Sequence, residues 1–482
     1  SPRAVSEILR FLVPTAGHVL LNVAAPRTRR RFIVERGERV LRTAAGNISG
    51  IAGDPQERLG QLARISAAFV AERVPRTFRL FVSGVAAAMA SYNVLRILTK
   101  DLPGVTRDHV LEVTRGVENN PTTEMDLSLW QASLAIRHDP ASLAAFETEA
   151  PSLLAVAYGN ASLPTVAQQV LDAFLARYGA RGLAEIDLGR PRWAEEPTHV
   201  LEVIRGYLQI SDPSRSPDAV FSRSMGGAEA AVAALVSAAR RGPHGWLRAR
   251  QVRFAAGRTR SLMGVRESPK FFVVRLLGVL RGELLSVGAQ LAARGDLSRP
   301  DDLFHLSFAE LVALADGAGR DWQGLVAQRR QAYDRELMRR QVPRLLLSDG
   351  RAFYQGLTAS GDAAGVLAGS PVSPGSVTGR VRVVLDPRRA GLLPGEILVC
   401  RGTDPSWTPL FLAAVGLIME VGGLMTHGAV VAREYGIPAV VGVDRATERL
   451  QTGQLISLDG STGRITIVDA AGASTEDETW RP

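Results

Sequence analysis

Residues 422–440 read Gly-Gly-Leu-Met-Thr-His-Gly-Ala-Val-Val-Ala-Arg-Glu-Tyr-Gly-Ile-Pro-Ala-Val. A Gly-Gly turn, an apolar run, a glycine stop and a second apolar run predict a short helix followed by a strand. Thr426 is a typical N-cap residue, and we expect its side chain to accept from the N–H groups of the first turn. His427 would then lie where these donors and the helix dipole favour an anion. Two interpretations follow: a capped helix with an exposed histidine, or a histidine that carries a phosphoryl group.

Three glycines flank this histidine. Gly422, Gly423 and Gly428 keep side-chain bulk away from His427, so we expect a large group to approach it closely. Gly423, Thr426 and Gly428 are therefore the predicted phosphate loop.

Composition limits the class of protein. The 482 residues are 46% hydrophobic and 22% charged, which is typical of a soluble chain with two to three domains. A single cysteine, Cys400, excludes a disulfide framework and predicts a reducing, cytoplasmic location. The net charge is +9, but the basic residues are scattered and aromatics are only 6%, so we predict no nucleic-acid partner. No apolar run of membrane-spanning length is evident, so we predict no membrane partner.

Periodicity divides the chain into two kinds of region. Apolar residues recur at three- and four-residue spacing over most of residues 57–355, with Pro, Gly and Asn clusters between the runs, which predicts helices. The segment His18–Val23 predicts a short strand. We predict a mainly helical domain over residues 1–355, a flexible linker over 356–370, an α/β domain over 371–470 and a polar tail over 471–482.

The histidine string resembles the phosphohistidine swivelling domain of phosphoenolpyruvate-utilising enzymes. That superfamily usually has Thr-Ser-His-Ala, then Ala-Arg-Glu and Gly-Ile-Pro-Ala-Val, and here Met425 and Thr426 stand where Thr-Ser is commonest. The stretches 371–381 and 403–410 are also similar to that domain, so the resemblance covers about residues 370–468. It implies a small α/β swivelling domain in which His427 carries the phosphoryl group.

The surrounding sequence resembles one subfamily. Phosphoenolpyruvate synthases and pyruvate phosphate dikinases follow the swivelling domain with a large β/α barrel, whereas few residues follow it here. The order of regions is similar to rifampicin phosphotransferase, in which an ATP-grasp domain precedes a helical rifamycin-binding domain and the swivelling domain. The stretches 179–193, 266–275 and 299–304 carry the resemblance in the helical region. It implies a multidomain chain, with a mainly α-helical substrate-binding domain followed by the swivelling domain.

The resemblance also implies a reaction. A phosphoryl group would pass from ATP through phospho-His427 to a hydroxyl of rifampicin or a related rifamycin, giving AMP and phosphate and inactivating the antibiotic. ATP and Mg²⁺ would be bound by an ATP-grasp domain, in cis or in trans, because neither a glycine-rich ATP-binding loop nor paired acidic metal ligands are recognisable upstream of the swivelling domain. Two alternatives stay open: a different hydroxylated acceptor, or a non-catalytic phosphocarrier or regulatory protein.

A pair of basic residues is the candidate for the acceptor side. Arg266 and Lys270 are four positions apart, and on a helix they would share one face and repel unless an anion lay between them. Lysine is rare here, since only Lys100 and Lys270 occur among 57 basic residues. The resemblance implies that the pair flanks the transferred phosphoryl group. Separately, a helix kink at Pro269 would aim the pair inward. The alternative is a solvated basic face with Glu267 as counter-ion.

Other residues near this pair have less specific patterns. Met263 and Phe271 are candidates for an apolar acceptor pocket, although an ordinary core explains them equally well. Glu185, Asp187 and Arg192 are predicted to form a structural charge cluster in preference to a substrate site. The histidines show no paired spacing, so we predict no metal site.

Overall fold

The computed structural model describes residues 16–68, 74–210, 212–338, 343, 345–353, 366–387, 392–403, 407, 410–423 and 426–468. The chain divides into two compact units. One consists of Ser1–Asp218 and Met225–Gln341, and the other of Ala219–Ser224 and Val342–Pro482. Most of the predicted linker, residues 356–365, and the predicted tail, residues 471–482, lie outside the described residues.

The first unit is built from helices, as the periodicity predicts. The helices are α1 (16–24), α2 (Pro26–Ser49), α3 (Pro55–Ala68), α4 (Val74–Thr99), α5 (Arg107–Glu112), α6 (Pro121–His138), α7 (Pro140–Thr148), α8 (Pro151–Gly159), α9 (Thr165–Tyr178), α10 (Thr198–Leu208), α11 (Pro217–Arg240), α12 (Gly245–Met263), α13 (Ser268–Arg294), α14 (Phe308–Ala315) and α15 (Trp322–Leu337). Short 3₁₀ turns occupy Pro213–Arg215, Gly264–Glu267 and Pro300–His305.

Turn residues set the starts of several helices. The Asn120 side chain accepts from the Thr122 N–H at the start of α6, and Asp139 caps α7 in the same way. Each helix has proline in its first turn, where a missing N–H costs no hydrogen bond. The turn chemistry in the sequence therefore predicts these boundaries correctly.

The first helix differs from the prediction. Residues 18–23 are helical, not a strand. The Asn22 side chain is buried and donates to the Ser83 hydroxyl of α4 at 3.2 Å. Packing between helices therefore decides the conformation of a segment whose own propensity is ambiguous.

The helix α4 contains a long apolar segment. Among the described residues, Phe81–Thr99 is long and apolar enough to cross a membrane by length and composition. The prediction that no such run exists is therefore wrong for this segment. The sequence analysis missed it because small and polar residues interrupt its apolar residues. About 44% of the segment is buried inside the protein, including Phe81, Ala87 and Leu95. A core helix has the same features.

The second unit contains a mixed sheet of eight strands among the described residues. Its elements are β3 (Val366–Ala368), β4 (Ser370–Ser373), β5 (Ser376–Val383), β6 (Glu396–Cys400), α16 (Leu410–Ala413), β7 (Gly416–Met419), α17 (His427–Tyr435), β8 (Ala439–Val441), α18 (Ala446–Arg449), β9 (Leu455–Asp459) and β10 (Arg464–Ile467). A separate hairpin pairs β1 (Leu345–Leu346) with β2 (Ala352–Phe353). The predicted fold class, a helical domain followed by a small α/β domain, is confirmed.

The strand order is β3-β10-β9-β5-β6-β7-β8-β4. The neighbours from β5 to β8 are parallel, and the other pairs are antiparallel. Residues 366–370, which the sequence assigns to the linker, instead form β3 and the start of β4. The reason is that β3 pairs with β10 and Ser370 pairs with Val441 of β8. The α/β domain therefore begins before residue 371.

Both faces of the central strands are covered. Every residue of β6 is buried, as in parallel sheets with a layer on each side. Leu398 lies in one core cluster with Ala429 of α17, and Ile397 lies in a second cluster with Ile418. The loop after β7 therefore delivers α17 to the carboxyl edge of the parallel strands, where α/β proteins commonly bind ligands.

Candidate functional site

His427 is the first residue of α17 and is half-buried. The helix ends at Gly436, whose φ of 69° is the left-handed conformation that glycine adopts easily. The Ile437 N–H then bonds back to the Ala432 carbonyl at 2.8 Å. The predicted order of histidine, short helix, glycine stop and strand is therefore what the structure contains.

Thr426 occupies the predicted N-cap position, with an extended backbone, but its side chain acts differently from the prediction. Its hydroxyl donates to the Gly423 carbonyl at 2.7 Å and accepts from the Gly423 N–H at 3.2 Å. The side chain therefore closes the loop on itself instead of capping the first turn of α17. This leaves the positive end of the helix dipole beside His427 without a threonine oxygen on it, which suits an anion there.

The two glycines of the predicted phosphate loop have different surroundings. A Cβ added to Gly428 would overlap the Thr403 hydroxyl and lie 2.8 Å from the Met419 sulfur. Gly428 is therefore required for the close packing of α17 on β7. A Cβ added to Gly423 would have no described atom within 4 Å. Of the two, only Gly423 borders open space, as the prediction of close approach requires.

The helical unit contains a cavity of about 560 Å³. Its lining combines apolar side chains with two cations: Val82, Val85, Ala86, Ile186, Arg266, Pro269, Lys270 and Val273. The volume and the mostly apolar wall are typical of small-molecule sites, which range from about 300 to 1,000 Å³. The structure thus brings Arg266 and Lys270 to the wall of one cavity, and their predicted role beside a phosphoryl group stays a prediction.

The geometry of this pair depends on a helix break. The helix α12 ends at Met263, a 3₁₀ turn covers Gly264–Glu267, and α13 begins at Ser268. A Cβ on Gly264 would overlap the backbone of the preceding 118–119 turn, so only glycine fits. Arg266 therefore lies within the 3₁₀ turn and Lys270 in the first turn of α13, so the two do not share one continuous α-helix face. The N-terminal end of the 27-residue helix α13 adds its dipole to their positive charge.

Each of the two cations has a carboxylate partner. Arg266 Nη2 lies 2.5 Å from Glu267 Oε1, and the Arg266 side chain is only 17% exposed. Lys270 Nζ lies 2.9 Å from Glu185 Oε1. The same Glu185 oxygen lies 3.3 Å from Arg181 Nη1. The alternative of a solvated basic face correctly names Glu267 as counter-ion, but the pair lines a cavity and is not fully solvated.

Glu185 belongs to a loop that arginines hold by its backbone. Arg192 donates to the carbonyls of Glu185 at 2.6 Å and Asp187 at 3.1 Å. Arg281 donates to the Leu188 carbonyl at 2.5 Å. Burial, and then the nearby Arg281, lowers the pKa of the Arg192 guanidinium. This part of the predicted charge cluster is structural, whereas Glu185 also reaches the cavity lysine, a contact that the sequence reasoning missed.

Met263 and Phe271 are placed behind the pair. Among the described residues, both lie outside the lining of the cavity, and both are buried. The Phe271 ring centroid lies 5.3 Å from the Arg181 guanidinium carbon and 5.4 Å from that of Arg275. The predicted contact of Met263 and Phe271 with substrate stays a prediction.

No metal centre is assembled by the described part of the chain, in which no three His, Cys, Asp or Glu side chains are grouped to hold an ion. The single thiol, Cys400, is fully buried in β6, and burial raises its pKa. It is therefore unsuited to act as a nucleophile.

Comparison with known families matches both regions. Residues 80–267 match the rifampicin phosphotransferase fourth domain, and residues 392–463 match the mobile domain of PEP-utilising enzymes. By sequence, most of the chain is similar to rifampicin phosphotransferases. Arg266 falls at the end of the first match, and His427 lies within the second.

Individual relatives show the same extent of similarity. A rifampicin phosphotransferase of Streptomyces sviceus is 38% identical over 361 residues, and one of Bacillus subtilis is 33% identical over 355 residues. Each match covers 74% of this chain and 41% of the relative. The prodigiosin synthesizing transferase PigC of Serratia marcescens is 29% identical over 366 residues, covering 74% of this chain and 40% of the relative. The chain thus spans about two fifths of the length of these relatives.

Proposed function

We propose that this chain supplies the acceptor-binding and phosphohistidine domains of a rifampicin phosphotransferase. His427 receives a phosphoryl group from ATP and passes it to a hydroxyl of rifampicin or a related rifamycin, giving AMP and phosphate and inactivating the antibiotic. The observation that carries the proposal is the apolar cavity of about 560 Å³ with Arg266 and Lys270 in its wall. Five of its eight lining residues, among them Arg266, lie in the region that matches the rifampicin phosphotransferase fourth domain.

The proposed chemistry has two transfers. The neutral imidazole of His427 attacks the β-phosphorus of ATP, so that an N–P bond forms as the P–O bond to AMP breaks, and water then breaks the β–γ phosphoanhydride bond and releases phosphate. The acceptor hydroxyl oxygen then attacks the same phosphorus, the N–P electron pair returns to the ring, and the ring takes up the hydroxyl proton. Arg266 and Lys270 neutralise the charge of the group in transit, which is the main protein contribution to phosphoryl transfer.

ATP and Mg²⁺ are assigned to an ATP-grasp domain, in the same polypeptide or in a separate one. Among the described residues, no three His, Cys, Asp or Glu side chains are grouped so that they could hold a metal ion. The use of ATP and the buried single thiol are both consistent with a cytoplasmic enzyme.

The test supplies a phosphoryl donor. The chain is mixed with an ATP-grasp domain of a rifampicin phosphotransferase, ATP, Mg²⁺ and rifampicin, and the drug is analysed by mass spectrometry. We expect phosphorylated rifampicin with the wild type and none with His427→Ala. The matched control is His138→Ala, since His138 is an exposed histidine on α6. Transfer that survives in His427→Ala overturns the proposal.

A second candidate keeps the phosphohistidine chemistry and changes the acceptor. The observation in its favour is the relative named for prodigiosin synthesis, which matches 74% of this chain. In the same experiment, phosphorylated His427 together with unmodified rifampicin supports this candidate. A chain that phosphorylates no small molecule from a panel of hydroxylated compounds supports the third alternative, a non-catalytic phosphocarrier.

A further inference from the structure

We propose that Glu185 is a positioning residue that orients the Lys270 ammonium towards the phosphoryl group in transit. The inference rests on the proposed function, because it concerns how one of the two cavity cations is held. Glu185 lies 85 positions before Lys270 in the chain, and the fold brings their charged atoms to 2.9 Å.

The contact is asymmetric in exposure. The Glu185 side chain is 2% exposed, whereas the Lys270 side chain is 36% exposed. A buried carboxylate has to be paired, and Glu185 is paired twice through one oxygen, to Arg181 and to Lys270. An ammonium has three N–H donors, so one donor held by Glu185 fixes the axis along which the other two can point. Lys270 therefore presents a directed donor set to the cavity in place of a freely rotating charge.

The backbone beneath this carboxylate is held in an unfavourable conformation. Ala184 has φ of 54°, the left-handed region that residues with a Cβ rarely adopt. The conformation is maintained on its C-terminal side, where the Asp187 N–H donates to the Ala184 carbonyl at 2.9 Å and Arg192 donates to the Glu185 carbonyl. Strained residues persist where their surroundings over-determine them, often beside functional groups. The strain at Ala184 is an observation independent of the ion pair, and it fixes the same carboxylate.

A purely structural role for Glu185 makes a different prediction. If Glu185 served only to neutralise the buried Arg181, its removal would lower stability and impair all ligand binding together. In the positioning role, Glu185→Gln raises the net charge beside the cavity by one and so does not weaken the static attraction for an anion. It loosens the direction of the ammonium, and hence slows transfer more than it weakens binding.

The experiment measures exchange between two forms of the drug with this chain alone. Phosphorylated rifampicin and tritiated rifampicin are incubated with the protein, and label entering the phosphorylated drug is followed. Exchange requires transfer to His427 and back, and it needs no ATP. Affinity for phosphorylated rifampicin is measured separately by calorimetry, and folding by thermal melting.

For Glu185→Gln we expect exchange to slow by about tenfold to a hundredfold, since small misplacements of a catalytic group have effects of this size. Affinity for the phosphorylated drug should stay within about threefold of wild type or increase. Glu185→Asp keeps the charge and shortens the side chain, and it should show the same separation of rate from affinity. The matched control is Glu283→Gln. Glu283 lies on α13 and is paired to Arg58, so its substitution also removes an ion-paired carboxylate, and exchange should continue at the wild-type rate.

A double-mutant cycle decides whether Glu185 acts through Lys270. If it does, adding Glu185→Gln to Lys270→Ala slows exchange no further, because the two effects are not independent. Multiplied effects, or unchanged exchange in Glu185→Gln and Glu185→Asp, overturn the inference and leave the proposed function standing. Absence of exchange in the wild type, with no binding of either drug form, counts against the proposed function itself.

Discussion

Replacing Arg266 or Lys270 by alanine should weaken the binding of phosphorylated rifampicin far more than the binding of rifampicin itself. Both side chains line the cavity, whose remaining lining is mostly apolar. The added phosphate therefore meets its cations only at these two positions of the described lining. The unmodified drug depends on the apolar wall, which alanine at 266 or 270 leaves in place.

The expected size follows from exposure and from the counter-ions. Two unit charges 4 Å apart attract by about 4 kcal/mol in a partly buried setting and about 1 kcal/mol in water. Arg266 is 17% exposed and Lys270 is 36% exposed, and each already faces a carboxylate. We therefore expect a loss of about 2 kcal/mol for Arg266→Ala and about 1 kcal/mol for Lys270→Ala, or about thirtyfold and fivefold in Kd.

Titration calorimetry with the purified chain and each form of the drug provides the assay. The control is Arg58→Ala, because the Arg58 side chain is also 17% exposed and ion-paired but lies outside the described cavity lining. Rifampicin should bind all three variants within about threefold of wild type. Equal weakening of both drug forms would show that the cations only support the cavity wall, and unchanged affinity for the phosphorylated form would place its phosphate elsewhere.

Three further predictions concern the scaffold. Gly264→Ala should lower the free energy of unfolding by about 1–3 kcal/mol or more, since its methyl would overlap backbone, and urea denaturation measures this. Gly428→Ala should lower the free energy of unfolding of the α/β unit by a similar amount. Gly423→Ala should change the melting temperature of this unit little, because the added methyl group would meet no described atom within 4 Å. A hydrogen bond from Arg329 lowers the pKa of Glu310 to about 2 from an ordinary 4.5, so the stability from this pair is complete above about pH 4.5 and is lost as pH falls through about 2. Between about pH 4.5 and 2, the free energy of unfolding of the wild type should therefore fall by about 1 kcal/mol more than that of Glu310→Gln, as measured by urea denaturation at each pH. An equal fall in both proteins would contradict the argument.

The histidine side of the site was predictable because its signals are local. A glycine stop, an apolar period and a threonine before the helix fix the position of His427 within a few residues of chain. What the sequence could not decide was the choice made by the Thr426 hydroxyl. The N–H groups of α17 and the backbone of Gly423 are both within reach of such a side chain, and only the folded loop shows that Gly423 is its partner.

The acceptor side was predictable only in part. The rarity of lysine and the spacing of Arg266 and Lys270 identified the pair, whereas the 3₁₀ turn that carries Arg266 appears only in the structure. The partnership of Lys270 with Glu185 joins segments that no periodicity connects, so it required the tertiary structure. The resemblance drew attention to the stretch around Glu185 but gave no reason to link it to the lysine.

The loop that carries Glu185 also carries Ile186, which is 56% exposed and forms part of the cavity wall. Arg192 and Arg281 hold this loop by donating hydrogen bonds to its backbone carbonyls, and these bonds do not depend on the side chain at position 186. Substitution of Ile186 can therefore change the shape of the cavity wall while Glu185 keeps its position beside Lys270. If the cavity binds the acceptor as proposed, a substitution at position 186 should change which acceptor fits while Arg266, Lys270 and Glu185 stay in place.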